Sequence, residues 1–95
     1  MLVIDLHFPD AGSLKGKRKE LSSIKAQLSG RLGVAVAETG YQDLWQRARL
    51  TAALTGGSLR RLAAAADEVE RWILARCPDG ASVERLVASV EDLRG

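Results

Sequence analysis

"ARLTAALT", residues 48–55, decides the fold. Its alanines and leucines suit a helix by propensity. Its alternation is that of a strand, with Ala48, Leu50, Ala52 and Leu54 on one side and Arg47, Arg49, Thr51 and Ala53 on the other. Successive side chains of a strand point to opposite faces, so the first set forms one apolar face. Gly56 and Gly57 stop the run. A helical reading would give a three-helix domain; the strict alternation favours the strand.

Five other elements surround it. Leu2, Ile4, Leu6 and Phe8 alternate with Val3, Asp5 and His7, which predicts a first strand ended by Pro9 and Gly12. Ser13 is placed to cap a helix over about 14–29 whose stripe is Leu14, Leu21, Ile24 and Leu28. Gly16 occupies the third helical position, so the reciprocal capping box is missing. Leu32, Val34 and Val36 alternate with Gly33, Ala35 and Ala37 in a second strand over 32–37. "ETGYQDLW" connects it to the decisive stretch.

Ser58 is placed to cap a second helix over 59–77, in which Leu59, Leu62, Ala66, Val69, Ile73 and Cys77 share a face. Pro78 and Gly80 end it. "VERLVASVED" is expected as a last strand, with Leu86, Ala88 and Val90 inward.

The order strand–helix–strand–strand–helix–strand, with right-handed crossovers, leaves a gap between strands 1 and 2 that strand 3 fills. The expected fold is a ferredoxin-like split β-α-β sandwich, βαββαβ, antiparallel in order 4-1-3-2 with both helices on one face. Residues 1–95 are read as one such domain.

The net charge of +2 is too small to mark a nucleic-acid binder, but its distribution is uneven. Between Lys15 and Arg31 stand six bases and one acid. Lys15, Lys17, Arg18, Lys19 and Lys25 fall mostly outside the apolar stripe, and the cluster at 17–19 sits near the positive end of the helix dipole. Folding alone does not account for that placement. With Arg47 and Arg49 these residues are the candidate nucleic-acid contacts; a solvated helix face is the bland alternative.

The topology also brings the end of strand 1 beside the start of strand 3. Asp5, His7, Arg47 and Arg49, joined by Glu38 at the end of strand 2, form a candidate constellation on the open face. Two arginines suit phosphate or carboxylate, whereas the acids offer them internal partners. RNA-recognition modules stack bases on strand aromatics, and none stands at these outward positions.

One histidine and one cysteine supply neither a nucleophilic triad nor a metal cluster. Cys77 reads as a small core hydrophobe. Acylphosphatases share this topology and length, but use an asparagine to orient water, and this chain has none. No catalytic residue, metal or cofactor is expected. "MLVIDLHFPD" lacks a basic n-region and is too short to span a membrane, so no membrane partner and a cytoplasmic location are expected.

Ser13-Leu14-Lys15 followed by Lys17-Arg18, then Val36-Ala37-Glu38, then Asp43-Leu44-Trp45-Gln46-Arg47-Ala48, resemble in order and spacing the YlxP-like bacterial family, a domain of unknown function. The resemblance covers essentially the whole chain. It implies a ferredoxin-like fold and, from genes that often accompany those of translation and ribosome-maturation factors, a role near the small ribosomal subunit or its RNA. It implies no established enzymatic activity. Asp43, Trp45 and Gln46 match the family pattern as an interface or turn anchor. Many members carry Glu where this chain has Gly16.

Three function classes follow. The leading one is a non-catalytic accessory protein contacting ribosomal RNA or a ribosome-associated partner, in small-subunit maturation or translation. The second is a protein-interaction or structural domain, a homodimer closed through edge strands and the small-residue face of Ala35 and Ala37. The third, a small phosphoryl- or acyl-transfer enzyme, lacks a nucleophile, base or metal cluster to carry it.

Overall fold

A computed structural model describes residues 1–9, 12–78 and 80–87. Its elements are β1 (Leu2–His7), α1 (Leu14–Arg31), β2 (Ala35–Gly40), β3 (Arg47–Ala53), α2 (Leu59–Arg76) and β4 (Ala81–Arg85). They form an α+β fold of ferredoxin-like βαββαβ arrangement, its antiparallel sheet in the order β2-β3-β1-β4. The decisive stretch is the central strand β3, paired with β1 on one side and β2 on the other. Ala48, Leu50 and Ala52 are wholly buried there. In a helix they would lie about 200° apart, and no single face could bury all three.

The core lies between the sheet and the helices. Leu2, Ile4 and Leu6 of β1 meet Leu21, Ile24 and Leu28 of α1 and Ala66, Val69 and Ile73 of α2. Each fully buried aliphatic side chain contributes about 1.5–3 kcal/mol relative to exposure. Ser13 caps α1, its hydroxyl accepting from Gly16 N–H at 3.1 Å, and Ser58 caps α2 through Arg61 N–H at 3.2 Å. Cys77 is half-buried against the core. Leu59, expected on the inner face of α2, is exposed in its first turn.

The boundaries of α1, β2 and β4 depart from the expectation. Helix α1 runs past Gly30 to Arg31, and Gly33, at φ +66°, makes the turn that lets Val34 N–H return to Leu28 O. A side chain is disfavoured in that conformation. Strand β2 therefore starts at Ala35 and reaches Gly40, taking in Glu38 and Thr39 from the expected connection.

The last strand begins at Ala81, because Gly80 O already accepts from His7 N–H at 3.0 Å and starts the ladder there. Ala81, Val83 and Arg85 face the helices opposite Leu6, Ile4 and Leu2. The expected parity was the reverse, and a slip of one residue turns every side chain over. Leu86, expected inside, is 47% exposed. Ala88 and Val90 lie outside the described residues.

Candidate nucleic-acid interface

One end of the domain gathers the candidate residues. Strand β1 ends there and α1 begins; β2 ends there and β3 begins; α2 ends there and β4 begins. On the open face the register sets Asp5 opposite Arg49 and His7 opposite Arg47. Arg49 grips Asp5 with two bonds, Nε to Oδ1 at 2.7 Å and a terminal nitrogen to Oδ2 at 3.1 Å. That hydrogen bond holds the Asp5 carboxyl below its ordinary range, against the opposing effect of desolvation. The fork-to-carboxylate geometry is of the stronger, directional kind.

Tyr41 joins this group. Its ring lies under both guanidiniums, 4.8 Å from Arg47 Cζ and 5.1 Å from Arg49 Cζ. Its hydroxyl is 3.5 Å from an Arg49 nitrogen. Tyr41 has φ +59°, unusual for a bulky residue. That turn carries the ring from the end of β2 back over the open face. No strand alternation signals it, because it arises in the connection.

Two of the proposed residues belong elsewhere. Glu38 does not join the open-face group. It has the parity of Val36 and sits opposite Leu50, so it faces the helices, 3.7 Å from Lys17 Nζ. Lys17 is not a surface base; its side chain is 1% exposed. It completes the α1 stripe at three residues from Leu14 and four from Leu21, and its ammonium donates to the carbonyl oxygens of Tyr41 and Gln42. The spacing 14-17-21-24-28 in the sequence was the available signal, obscured because the residue is charged. For Lys17, unlike its neighbours, folding does account for a base in the first turns of α1.

Lys15, Arg18 and Lys19 are exposed on α1, and Lys25, two turns on, is half-buried. Glu20 accepts from Arg76 at 3.0 Å, tying α1 to the last turn of α2, whereas Asp43 in the β2–β3 connection forms no ion pair among the described residues. Lys15, Arg18, Lys19 and Arg47 form no ion pair among the described residues. At the opposite end Arg85 fastens β4 to α2 through Asp67 at 2.7 Å and Glu70 at 2.6 Å.

The β2–β3 connection is held at several points. Leu44 N–H donates to Tyr41 O at 3.1 Å, Phe8 N–H to Gln46 O at 2.7 Å, and the Gln46 amide to Pro9 O at 3.4 Å. Gln46 is thus an anchor of this turn. Asp43 and Trp45 are exposed. Among the described residues no group of three or more His, Cys, Asp or Glu side chains is placed to hold a metal, and no helix is long and apolar enough to cross a membrane.

These elements make a ferredoxin-like sandwich with an open sheet face and, at one end, exposed bases without an ion pair among the described residues. The chain belongs to the family described as "Protein of unknown function (DUF503)", whose model matches residues 1–92. It is 39% identical over 74 residues to the "Uncharacterized protein YlxP" of Bacillus subtilis (strain 168), covering 67% of this chain and 80% of that relative.

Proposed function

We propose that this protein is a non-catalytic accessory factor that contacts structured RNA, through phosphates, with the end of the domain where α1 and β3 begin. The observation that carries the reading is the pairing pattern there. Asp5, Glu20 and Glu38 are each engaged by a base, while Lys15, Arg18, Lys19 and Arg47 remain exposed without an ion pair among the described residues. Exposed cations contribute little to folding, and phosphates are what such a cluster attracts. The family resemblance directs the proposal to ribosomal RNA and the small subunit.

Co-sedimentation with ribosomal subunits tests it, comparing wild type with a Lys15→Gln/Arg18→Gln/Lys19→Gln variant. The proposal expects wild type to pellet with the small subunit and the variant to remain in the supernatant. Equal association of both would refute the basic-end mechanism.

A second reading, a homodimeric interaction domain, draws on a different part of the molecule. Ala35 and Ala37 on β2 and Ala53 on β3 give the open face an exposed small-residue area. Sedimentation equilibrium at micromolar concentration separates the two: a monomeric mass throughout removes the dimer.

A further inference from the structure

Arg47 lines two depressions, one on each side of it. The first, about 430 Å³, is walled also by Asp5, His7, Gly80 and Ser82. The second, about 390 Å³, is formed by the connection itself, with Asp43, Leu44 and Trp45. We propose that this pair of depressions binds one unpaired nucleotide of an RNA strand, the base stacked on the Trp45 indole and its phosphate held by Arg47 on the His7 side. The inference rests on the RNA reading above and specifies the part of the RNA that is read.

Trp45 is 52% exposed and takes no part in the core. Indole is a costly group to leave in water, and a flat π-face beside a guanidinium suits a nucleobase of any sequence. The backbone that carries Trp45 is held on both sides, by the Lys17 ammonium at Tyr41 and by the Phe8 and Gln46 bonds. Little backbone ordering is left to be done on binding.

Charge sets the polarity of the bound nucleotide. Asp43 at the rim of the Trp45 depression repels a phosphate there. On the other side, the charge of Asp5 is already engaged by Arg49, which leaves Arg47, His7 and the Ser82 hydroxyl to meet an anion. The same charge complementarity favours a nucleic acid over an apolar protein surface.

The test uses Trp72→Phe protein, in which Trp45 is the sole indole, titrated with a single-stranded RNA hexamer and with an RNA duplex. Stacking predicts quenching of Trp45 emission by the single strand. Trp45→Ala should weaken single-strand binding about tenfold or more while leaving duplex affinity within about twofold, and Trp45→Phe should retain most of it. Arg47→Gln should weaken single-strand binding and reduce its salt slope by about 1.

Unchanged single-strand affinity in Trp45→Ala, with duplex binding intact, overturns the nucleotide site and leaves the phosphate reading standing. Binding of neither RNA overturns both. Emission that follows protein concentration without RNA would place Trp45 between two copies of the chain, and the inference falls.

Discussion

The ammonium of Lys17 donates to the carbonyl oxygen of Tyr41, joining the first turns of α1 to the connection between β2 and β3. The same ammonium reaches Gln42 O at 3.4 Å and Glu38 Oε2 at 3.7 Å. A buried base with three oxygen partners organises the end of the domain where the candidate contacts lie. Removing it would leave those oxygens short of a donor and a void beneath the connection. Lys17→Ala is therefore expected to cost about 2–4 kcal/mol in urea unfolding. Arg18→Ala, on the exposed side of the same turn, should stay within about 0.5 kcal/mol. Equal small effects would show that Lys17 is a surface residue.

Gly16 offers the opposite kind of change. A Cβ there would meet only the Ser13 hydroxyl, at an ordinary 3.5 Å. Gly16→Glu removes the entropic penalty of glycine in a helix and places an acid at the third position, where it reaches back to the Ser13 N–H and faces the positive end of the dipole. Unfolding free energy should rise by about 1 kcal/mol, and RNA affinity should fall because an acid has entered the basic end. Loss of stability would contradict the capping geometry.

The Asp5–Arg49 pair predicts an acid limb. Because the folded pKa of Asp5 is depressed, its contribution is present above the ordinary carboxylate range and is lost as pH falls through the folded value. Melting temperature should begin to fall below about pH 4. Asp5→Asn should be less stable than wild type at neutral pH and should lose less on acidification. Parallel melting curves of the two proteins across pH 2–7 check this. Parallel acid limbs would show that the pair carries no linkage.

Gly80 packs directly on His7. An added Cβ would stand 2.8 Å from His7 Cβ, closer than such atoms approach. Gly80→Ala should cost about 1–3 kcal/mol. The loss should be largely recovered in a His7→Gly background and not in His7→Ala, which keeps the Cβ. Equal costs in all backgrounds would place the strain elsewhere.

The fold was legible because β3 carries its assignment in plain alternation, and strand order then follows from crossover handedness. The last strand was legible only as an element. Its true stretch, Ala81–Arg85, ends on an arginine of inward parity, whereas the more apolar run begins after it at Leu86. Apolar alternation pointed to the later run; the backbone bond between His7 and Gly80 set the earlier one.

At the candidate site, the pairing of Asp5 with Arg49 and of His7 with Arg47 follows from topology and parity. Lys17 and Glu38 are different, since a charged residue on an apolar stripe reads as outward until its partner is known. Tyr41 was hidden for another reason: a left-handed turn aims its ring, and turns of that kind are not marked by periodicity.

The central claim is that exposed bases at the start of α1, and not the buried Lys17, meet RNA phosphates. The most direct measurement is the salt dependence of binding to labelled small-subunit RNA, for wild type and for Lys15→Gln/Arg18→Gln/Lys19→Gln, with melting followed in parallel. Neutralising about three to five phosphates gives wild type a log–log slope of roughly −3 to −5. The triple variant should lose up to about 3 of that magnitude and keep its melting temperature. The same slope and affinity in both proteins, or binding indifferent to salt, would contradict the account.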